Sequence, residues 1–471
     1  MDMEDQILCA APVPAESAAD DAAADAPAAS CQPGFVALLA VTATLFVRPS
    51  DLIPGLGEER IYLVLIVTAL LLSLPVIIPQ LAVKRLREQP ITACVLGLLA
   101  ASLCSRLGHF DMEGAIASGF EFAKVVVYYL LVVGLLSTDG RIQNFLYWLT
   151  FCYAVLAALS VLDFHGLPDL PTISPIADHT YVAELGGEVI VQRLRGTGIF
   201  QDPNDVCLVL VPGILLSLYW ASRCRFGVRF CVWLALCGLF SHALALTHSR
   251  GGFLGLLAGL GVLFHTRFGW KRTILSACVV IPCLLVLFAG RQTTISTRAG
   301  TAQSRLELWR DGLQTFREEP LLGLGKDRIA EMALERGYGH VVHNSYLHSF
   351  AELGFAGGCF FLGAFFLGAR RMLRLEEHAA SQSAPEMLQL RPYLLAAFAA
   401  YSVSSLTLSN CYTVPTYMML GLACAFAEVV PGDEESPPFR LDLQCLLQLA
   451  ALGLAFLLVT YLFVRVFLVT G

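Results

Sequence analysis

"IYLVLIVTALLLSLPVIIPQLAV", residues 61–83, runs for twenty-three residues without a single formal charge. A helix rises about 1.5 Å per residue, so this stretch is long enough to cross a hydrocarbon core of about 30 Å. A lone strand there would leave its backbone N–H and C=O groups unpaired in lipid, so the stretch reads as a helix. Comparable runs recur at 91–108, 115–136, 142–162, 205–222, 227–246, 251–265, 272–289, 345–369, 392–410, 413–430 and 446–468, with a shorter one at 34–47. The composition agrees: 56% of the 471 residues are hydrophobic and 15% charged, with a mean hydropathy of +0.67. Soluble globular chains are about 25% charged. No alternation suggests a barrel. The expectation is an all-α polytopic membrane protein with about 12–13 transmembrane helices, residues 34–471 forming a single transmembrane domain.

Lys and Arg in the short connections set the orientation. Fifteen lie on one set of connections, including Lys84, Arg85 and Arg87, Arg223, Arg225 and Arg229, and Arg370, Arg371 and Arg374. The alternate set holds six: Arg48, Arg60, Arg106, Arg193, Arg195 and Arg250. The basic side is expected to be cytoplasmic, so the two long connections, 163–204 and 290–344, face outward. Residues 1–33 hold seven acidic residues, no Lys or Arg, and many Ala and Pro. That composition reads as a disordered cytoplasmic tail rather than a secretory signal, which would need a basic start. The fifteen cysteines lie mostly inside apolar runs, with no CxxC, and read as small buried hydrophobes.

In the 163–204 connection, Gly186-Gly187 between Val/Ile-containing runs points to a small hairpin. In 290–344, apolar residues at 306, 309, 313 and 316 have the spacing of an amphipathic helix ended by Pro320 and Gly323. Such a helix would lie on the membrane surface and roof the bundle. No internal repeat is visible, which weighs against an inverted-repeat transporter.

Polar groups gather where the 345–369 run begins, in "HVVHNSYLHSFAELGFAGG" (340–358). His343 reads either as an interfacial residue finishing a helix cap or as a general base. Asn344 or Ser345 supplies the cap. His348 and Glu352, four apart, share a helical face and read as an intramembrane pair. Gly354 and Gly358 form GxxxG, read as close helix packing. Arg195 precedes "GTG", Arg250 sits in "THSRGGFL", and Arg305 opens the amphipathic stretch. Each alone is a snorkelling arginine; three guanidinium groups on one side, two beside glycines, would make an anion site. In "DPND", Asp202 is an N-cap with Pro203 at the first helical position, or it orders Arg195, with Asn204 beside it. Glu121 and Lys124 neutralise each other within a span, or line a polar path.

The stretches "RGTGIFQDPNDVCLVLVP", "HSRGGFLGLLAGLG", "SRLELWRDGLQTFREEPLLGLGKD" and "HNSYLHSFAELGFAGG" resemble the bacterial O-antigen ligase/polymerase superfamily. The last fits the ligase pattern His-[Asn/Ser/Gln]-x9-Gly-x2-Gly at His343, Asn344, Gly354 and Gly357; Arg250 with Leu254 fits Arg-x3-Leu. "RPSDLIP" (48–54) also looks like members that accompany exosortase systems.

The resemblance implies a GT-C-like fold in the bacterial inner membrane, with a large periplasmic loop and an active site facing the periplasm. It implies a glycosyltransferase that moves a glycan from undecaprenyl pyrophosphate to a hydroxyl of a lipid, glycan or protein acceptor. Arg195, Arg250 and Arg305 would bind pyrophosphate, His343 would activate the acceptor, and Asn344, Asp202 and Asn204 would support them. Fixed cations meet the charge that grows on a pyrophosphate leaving group. No Asp-x-Asp occurs, so neither metal nor cofactor is expected, nor a nucleic-acid partner. The alternatives are a repeat-unit polymerase, and a transporter or flippase of lipid-linked glycans.

Overall fold

The computed structural model describes residues 31–48, 58–167, 174–182, 187–287, 301–335, 341–374, 385–430 and 440–469. The chain runs α1 (Gln32–Phe46), α2 (Glu58–Gln80), the short α3 (Val83–Glu88), α4 (Pro90–Gly108), α5 (Met112–Leu135) and α6 (Asp139–Phe164). An antiparallel hairpin of β1 (Ile176–Val182) and β2 (Gly187–Arg193) follows, then α7 (Pro203–Ser222), α8 (Val228–Leu246), α9 (Arg250–Leu287), α10 (Thr301–Glu318) and α11 (Arg328–Glu335). The last elements are α12 (Ser345–Leu373), α13 (Pro385–Ser404), α14 (Val414–Val429) and α15 (Leu443–Val469).

Among the described residues nine helices are long and apolar enough to cross a membrane, and α1 and α14 are apolar but shorter. α13 carries Glu386, Gln389 and Arg391 in its first two turns. The runs read separately at 251–265 and 272–289 share α9, which is broken at Gly269 (φ 75°, ψ 169°). The protein is therefore an all-α polytopic membrane protein. α1 begins at Gln32, two residues before the apolar run read from sequence, and 1–30 lie outside the described residues. The hairpin forms where expected, although Gly186 also lies outside them.

Hydrogen bonds and ion pairs sort the connections into two ends of the bundle. At one end Arg85 and Arg371 both pair with Glu428, Arg223 pairs with Glu386 (3.0 Å), and Leu441 N–H donates to the Arg87 carbonyl (2.7 Å). At the other, Thr197 Oγ1 donates to the Phe46 carbonyl (2.9 Å), and Leu194 N–H to that of Leu246 (3.0 Å). There too Asn410 Nδ2 donates to Asp205 Oδ1 (3.1 Å). These are the same two alternating sets that the Lys/Arg distribution separates, the first being the basic one.

α7 and α12 form the centre: 78% and 72% of their apolar windows are buried, against 17% for α8 and α15, which present apolar side chains outward. Outward apolar residues suit a lipid surround, where packing rather than hydrophobicity brings helices together. Close approach follows from small residues along one face of α9. A Cβ on Gly251, Gly252 or Gly255 would run into Thr407, Cys207 or Ser404, so α9 lies directly against α7 and the end of α13. The apolar face of α10, Trp309, Leu313 and Phe316, packs with Ile329 over Val342, Leu347 and Phe350 at the start of α12. Trp309 also meets Phe463 of α15, ring centroids 5.9 Å apart.

Gly354 does not serve helix packing as its GxxxG spacing implied. It interrupts α12 with φ 68° and ψ −168°, a conformation essentially reserved for glycine. Into the break fits "EPLLGLG" (319–325). Leu324 N–H donates to the Ala351 carbonyl (3.0 Å), Gly325 N–H to that of Glu352 (3.0 Å), and Phe355 N–H to that of Pro320 (2.8 Å). The carbonyls and amide freed by the interruption are satisfied by the loop rather than by the helix. A Cβ at Gly354 would strike the Leu321 carbonyl, and one at Gly323 the backbone of Glu352.

Candidate active site

At the end of the bundle that holds Asp205 and Asn410, the α-helix read to 410 stops at Ser404. A 3₁₀ turn (Ser405–Thr407) follows, and then an irregular loop, 408–413. That loop is a connector. Ser409 Oγ accepts from His343 N–H (2.9 Å), Ser345 Oγ donates to the Leu408 carbonyl (2.7 Å), and Asn410 N–H donates to Ser345 Oγ (2.8 Å). Through Asn410 and Asp205 the same loop holds the first turn of α7.

His343 has φ 50°, a left-handed conformation that costs a non-glycine residue about 1–2 kcal/mol. The bond to Ser409 helps hold it. The α12 cap is made by the buried Asn344, whose Oδ1 accepts from the N–H groups of Tyr346 and Leu347, both at 3.1 Å. Asn344, then, rather than His343, caps the helix, and His343 stands half-buried just outside it.

Asp202 caps α7 as read: its Oδ1 accepts from the side-chain amide of Asn204 (2.8 Å) and from its backbone N–H (2.6 Å). Asn204 Oδ1 in turn accepts from Arg193 Nη2 (3.0 Å) and Ser249 Oγ (2.8 Å). Arg193 also donates from Nε to the Thr247 carbonyl (2.8 Å). Hence the "DPND" turn is fastened to the end of β2, the end of α8 and the residue preceding Arg250. The arginine that Asn204 holds is Arg193 rather than Arg195. Arg195 is half-buried and donates from Nε to the Gln201 carbonyl (2.8 Å) within its own loop.

Arg250 is the first residue of α9, half-buried, with the glycine face of that helix beginning immediately after it. Arg305 lies four residues before Trp309 on α10, on the side of that helix packed over the start of α12. Thus one hydrogen-bonded seam joins the segments bearing His343, Asn344, Asp202, Asn204 and Arg250. Arg195 flanks the seam through its own loop, and Arg305 reaches it through the packing of α10 on α12.

A second constellation went unread in the sequence. Arg106, 2% exposed, donates to Asp111 (2.7 Å), Glu331 (2.6 Å) and the Lys326 carbonyl (2.7 Å). The Arg106 hydrogen bond holds the Glu331 carboxyl below its usual range. The Gly114 N–H, and then Arg106, do the same for Asp111. Glu352, fully buried, accepts from the N–H groups of Asp327 (3.1 Å) and Ile329 (3.2 Å). It caps α11 from a distant part of the chain, where a carboxylate suits the positive helix end. His348 Nε2 lies 3.2 Å from Glu352 Oε1, so the two form the intramembrane pair that their spacing implied. Lys326 Nζ sits 4.9 Å over the Tyr412 ring. Arg106 and Glu352 together anchor 326–331 against α4 and α12. No metal-holding group of three or more His, Cys, Asp or Glu occurs among the described residues.

Residues 208–362 match the O-antigen ligase family model. The match spans a third of the chain and supports the O-antigen ligase-like superfamily, whose members are glycosyltransferase-like enzymes, ligases and polymerases. It includes Arg250, Arg305, His343, Asn344 and the interrupted α12, and stops short of Arg195, Asp202 and Asn204. No match to the chain was found among curated proteins. An O-antigen ligase-like function implies a lipid-linked glycan substrate and a bilayer, in keeping with the multi-pass architecture. Within the matched span, Gly354 and Gly323 acquire a physical meaning: the helix interruption and the loop clipped into it hold 319–335 against α12.

Proposed function

We propose that the protein transfers a glycan from an undecaprenyl-pyrophosphate-linked donor to an acceptor hydroxyl on the periplasmic face of the inner membrane, as an O-antigen ligase-like glycosyltransferase. The observation that carries this reading is the seam through loop 408–413, which couples the His343 segment to the segment opening at Arg250. The segments that bear the proposed base and the proposed anion binder Arg250 are joined by hydrogen bonds through Ser345, Asn410, Asp205, Asn204 and Ser249. That preorganisation is what electrostatic catalysis requires.

In this mechanism Arg250 and Arg305, flanked by Arg195, bind the donor pyrophosphate. Guanidinium groups match phosphate oxygens in shape and charge. The acceptor oxygen attacks the anomeric carbon and the bond to the pyrophosphate oxygen breaks. The electron pair leaves with the pyrophosphate, and the hydroxyl proton passes to the His343 imidazole. Asn344 positions His343 by fixing the helix start, while Asp202 and Asn204 fix the α7 start beside Arg250. The chemistry asks for neither metal nor cofactor, because the leaving group is already activated. A repeat-unit polymerase would use the same residues with a second lipid-linked unit as acceptor. A transporter would instead concentrate its charges deep in the spans, whereas the arginines here stand at one end of the bundle.

The test is a transfer assay with purified protein, a polyprenyl-pyrophosphate glycan and candidate acceptors, with and without EDTA. Transfer that survives EDTA and disappears in folded His343→Ala and Arg250→Ala variants supports the mechanism. Normal turnover by His343→Ala removes the general-base role. Movement of lipid-linked glycan between leaflets without any transfer supports the transporter.

A further inference from the structure

Loop 408–413 binds the main chain of His343 through Ser409, so where the loop sits fixes where His343 stands. Two of its carbonyls are held by the first turn of α14: Thr416 Oγ1 donates to that of Asn410 (2.6 Å) and the Tyr417 hydroxyl to that of Cys411 (2.8 Å). The next residue, Tyr412, is held by its ring. It meets Phe122 of α5 edge-on, with centroids 5.5 Å apart and planes at 77°, and His348 of α12 with centroids 6.0 Å apart. Over the same ring, 4.9 Å from its centroid, stands the ammonium of Lys326, a buried cation that the proposed chemistry leaves unused.

A buried ammonium needs compensation, because taking a charge out of water is costly. Lys326 finds it in Asp327 and in the Tyr412 ring. The ion pair is oriented. The Asp327 side chain is 44% exposed and that of Lys326 4%, so the carboxylate faces outward and the cation inward, onto an electron-rich aromatic face. The backbone enforces this direction. Arg106 Nε donates to the Lys326 carbonyl (2.7 Å), Glu352 Oε2 accepts from Asp327 N–H (3.1 Å), and Asp327 takes φ 67°, a left-handed turn. Lys326 is thus fixed to α4 on one side and to α12 on the other, and its side chain ends on the loop that binds His343.

We infer that Lys326 and Tyr412 are positioning residues for His343. Lys326 carries the frame of 326–331 across the Tyr412 ring to loop 408–413, and the loop holds His343 N–H and with it the left-handed backbone from which the imidazole projects. Without the ring contact the loop shifts, and His343 relaxes from φ 50° to a commoner conformation that turns its side chain away. A misplacement of about 1 Å costs a reacting group about a hundredfold in rate. The inference rests on the proposed function for what His343 does; where His343 stands is measurable without transfer.

Single-amide hydrogen exchange on the full-length protein in nanodiscs, without donor or acceptor, reads the His343 amide directly. Tyr412→Leu is expected to speed its exchange roughly thirtyfold, the scale of one desolvated cation–π contact, while the amides of Leu324 and Gly325 stay protected. Lys326→Met should act in the same way. Tyr412→Phe, which keeps the ring face, and Lys326→Arg, which keeps the cation, should each restore most of the protection. In the transfer assay Tyr412→Leu should lower kcat about tenfold or more and leave the donor KM unchanged, because Arg250 and Arg305 stand on other segments; Tyr412→Phe should recover kcat. Unchanged exchange at His343 in folded Tyr412→Leu and Lys326→Met would overturn the inference. So would equal acceleration at Leu324 and Gly325, which marks general loosening, or a wild-type kcat in Tyr412→Leu. The expected exchange pattern in a protein that transfers to no acceptor would support the joint between Lys326 and Tyr412 and refute the enzyme instead.

Discussion

Replacing Gly354 by alanine tests the central structural claim, that α12 is interrupted so that 319–325 can be clipped into it. At φ 68° and ψ −168° an alanine carries about 1–3 kcal/mol of backbone strain. Its Cβ would also lie 2.5 Å from the Leu321 carbonyl carbon and 2.8 Å from Leu322 N. These are backbone atoms, which cannot swing aside as a side chain can. Relief requires the loop to leave, and the loop takes with it the three bonds Leu324 to Ala351, Gly325 to Glu352 and Phe355 to Pro320. At about 1 kcal/mol net for each bond, the clip is weakened by about 3 kcal/mol. Local opening should then become roughly a hundredfold more frequent. Hydrogen exchange of purified protein in nanodiscs reads this directly at the amides of Leu324 and Gly325. Ala356→Gly, on the exposed side of the same helix, is the control; it loses about 1 kcal/mol of helix propensity and should leave those two amides protected. Unchanged protection at Leu324 and Gly325 in Gly354→Ala would show that the interruption does not hold the loop.

Glu331 and Asp111 have folded-state carboxyl pKa values depressed below their unfolded values, so their stabilising contribution is present above the unfolded values near pH 4. It is lost as pH falls through the lower folded values; exchange in 326–331 should rise on acidification below about pH 4, and Glu331→Gln should flatten that dependence. His343→Gly should be more stable than His343→Ala by about 1 kcal/mol, since only glycine accepts φ 50° freely, with transfer lost in both; chemical denaturation and the transfer assay separate the two effects. Asn344→Ala removes a cap with two bonds and should cost about 1 kcal/mol, while Asn344→Asp, which can still accept, should recover most of it in the same denaturation experiment. Asn410→Ala cuts the link from loop 408–413 to Asp205 and should lower transfer more than it lowers the unfolding midpoint; equal losses would reduce the seam to a stability element.

Much of this protein is determined by local sequence. Uncharged runs such as 61–83 have no alternative to helix in lipid, and among the described residues each run lies mainly on helical backbone, that at 392–410 leaving the α-helix at Ser404, because the penalty for an unpaired backbone acts residue by residue. The amphipathic stretch from Arg305 to Phe316 became α10, and the caps at Asp202 and Asn344 formed, since each is settled within a few residues. Tertiary structure alone decided what Gly354 does. Its GxxxG spacing is shared by packed helices and by an interruption, and only the docking of Leu321–Gly325 distinguishes them. The same holds for Arg193, Arg106, Glu352 and Asn410: Arg106 meets Glu331 across 225 positions and Asn410 meets Asp205 across 205. No local pattern records such a pairing, because its energy exists only once desolvated polar groups from distant segments face one another.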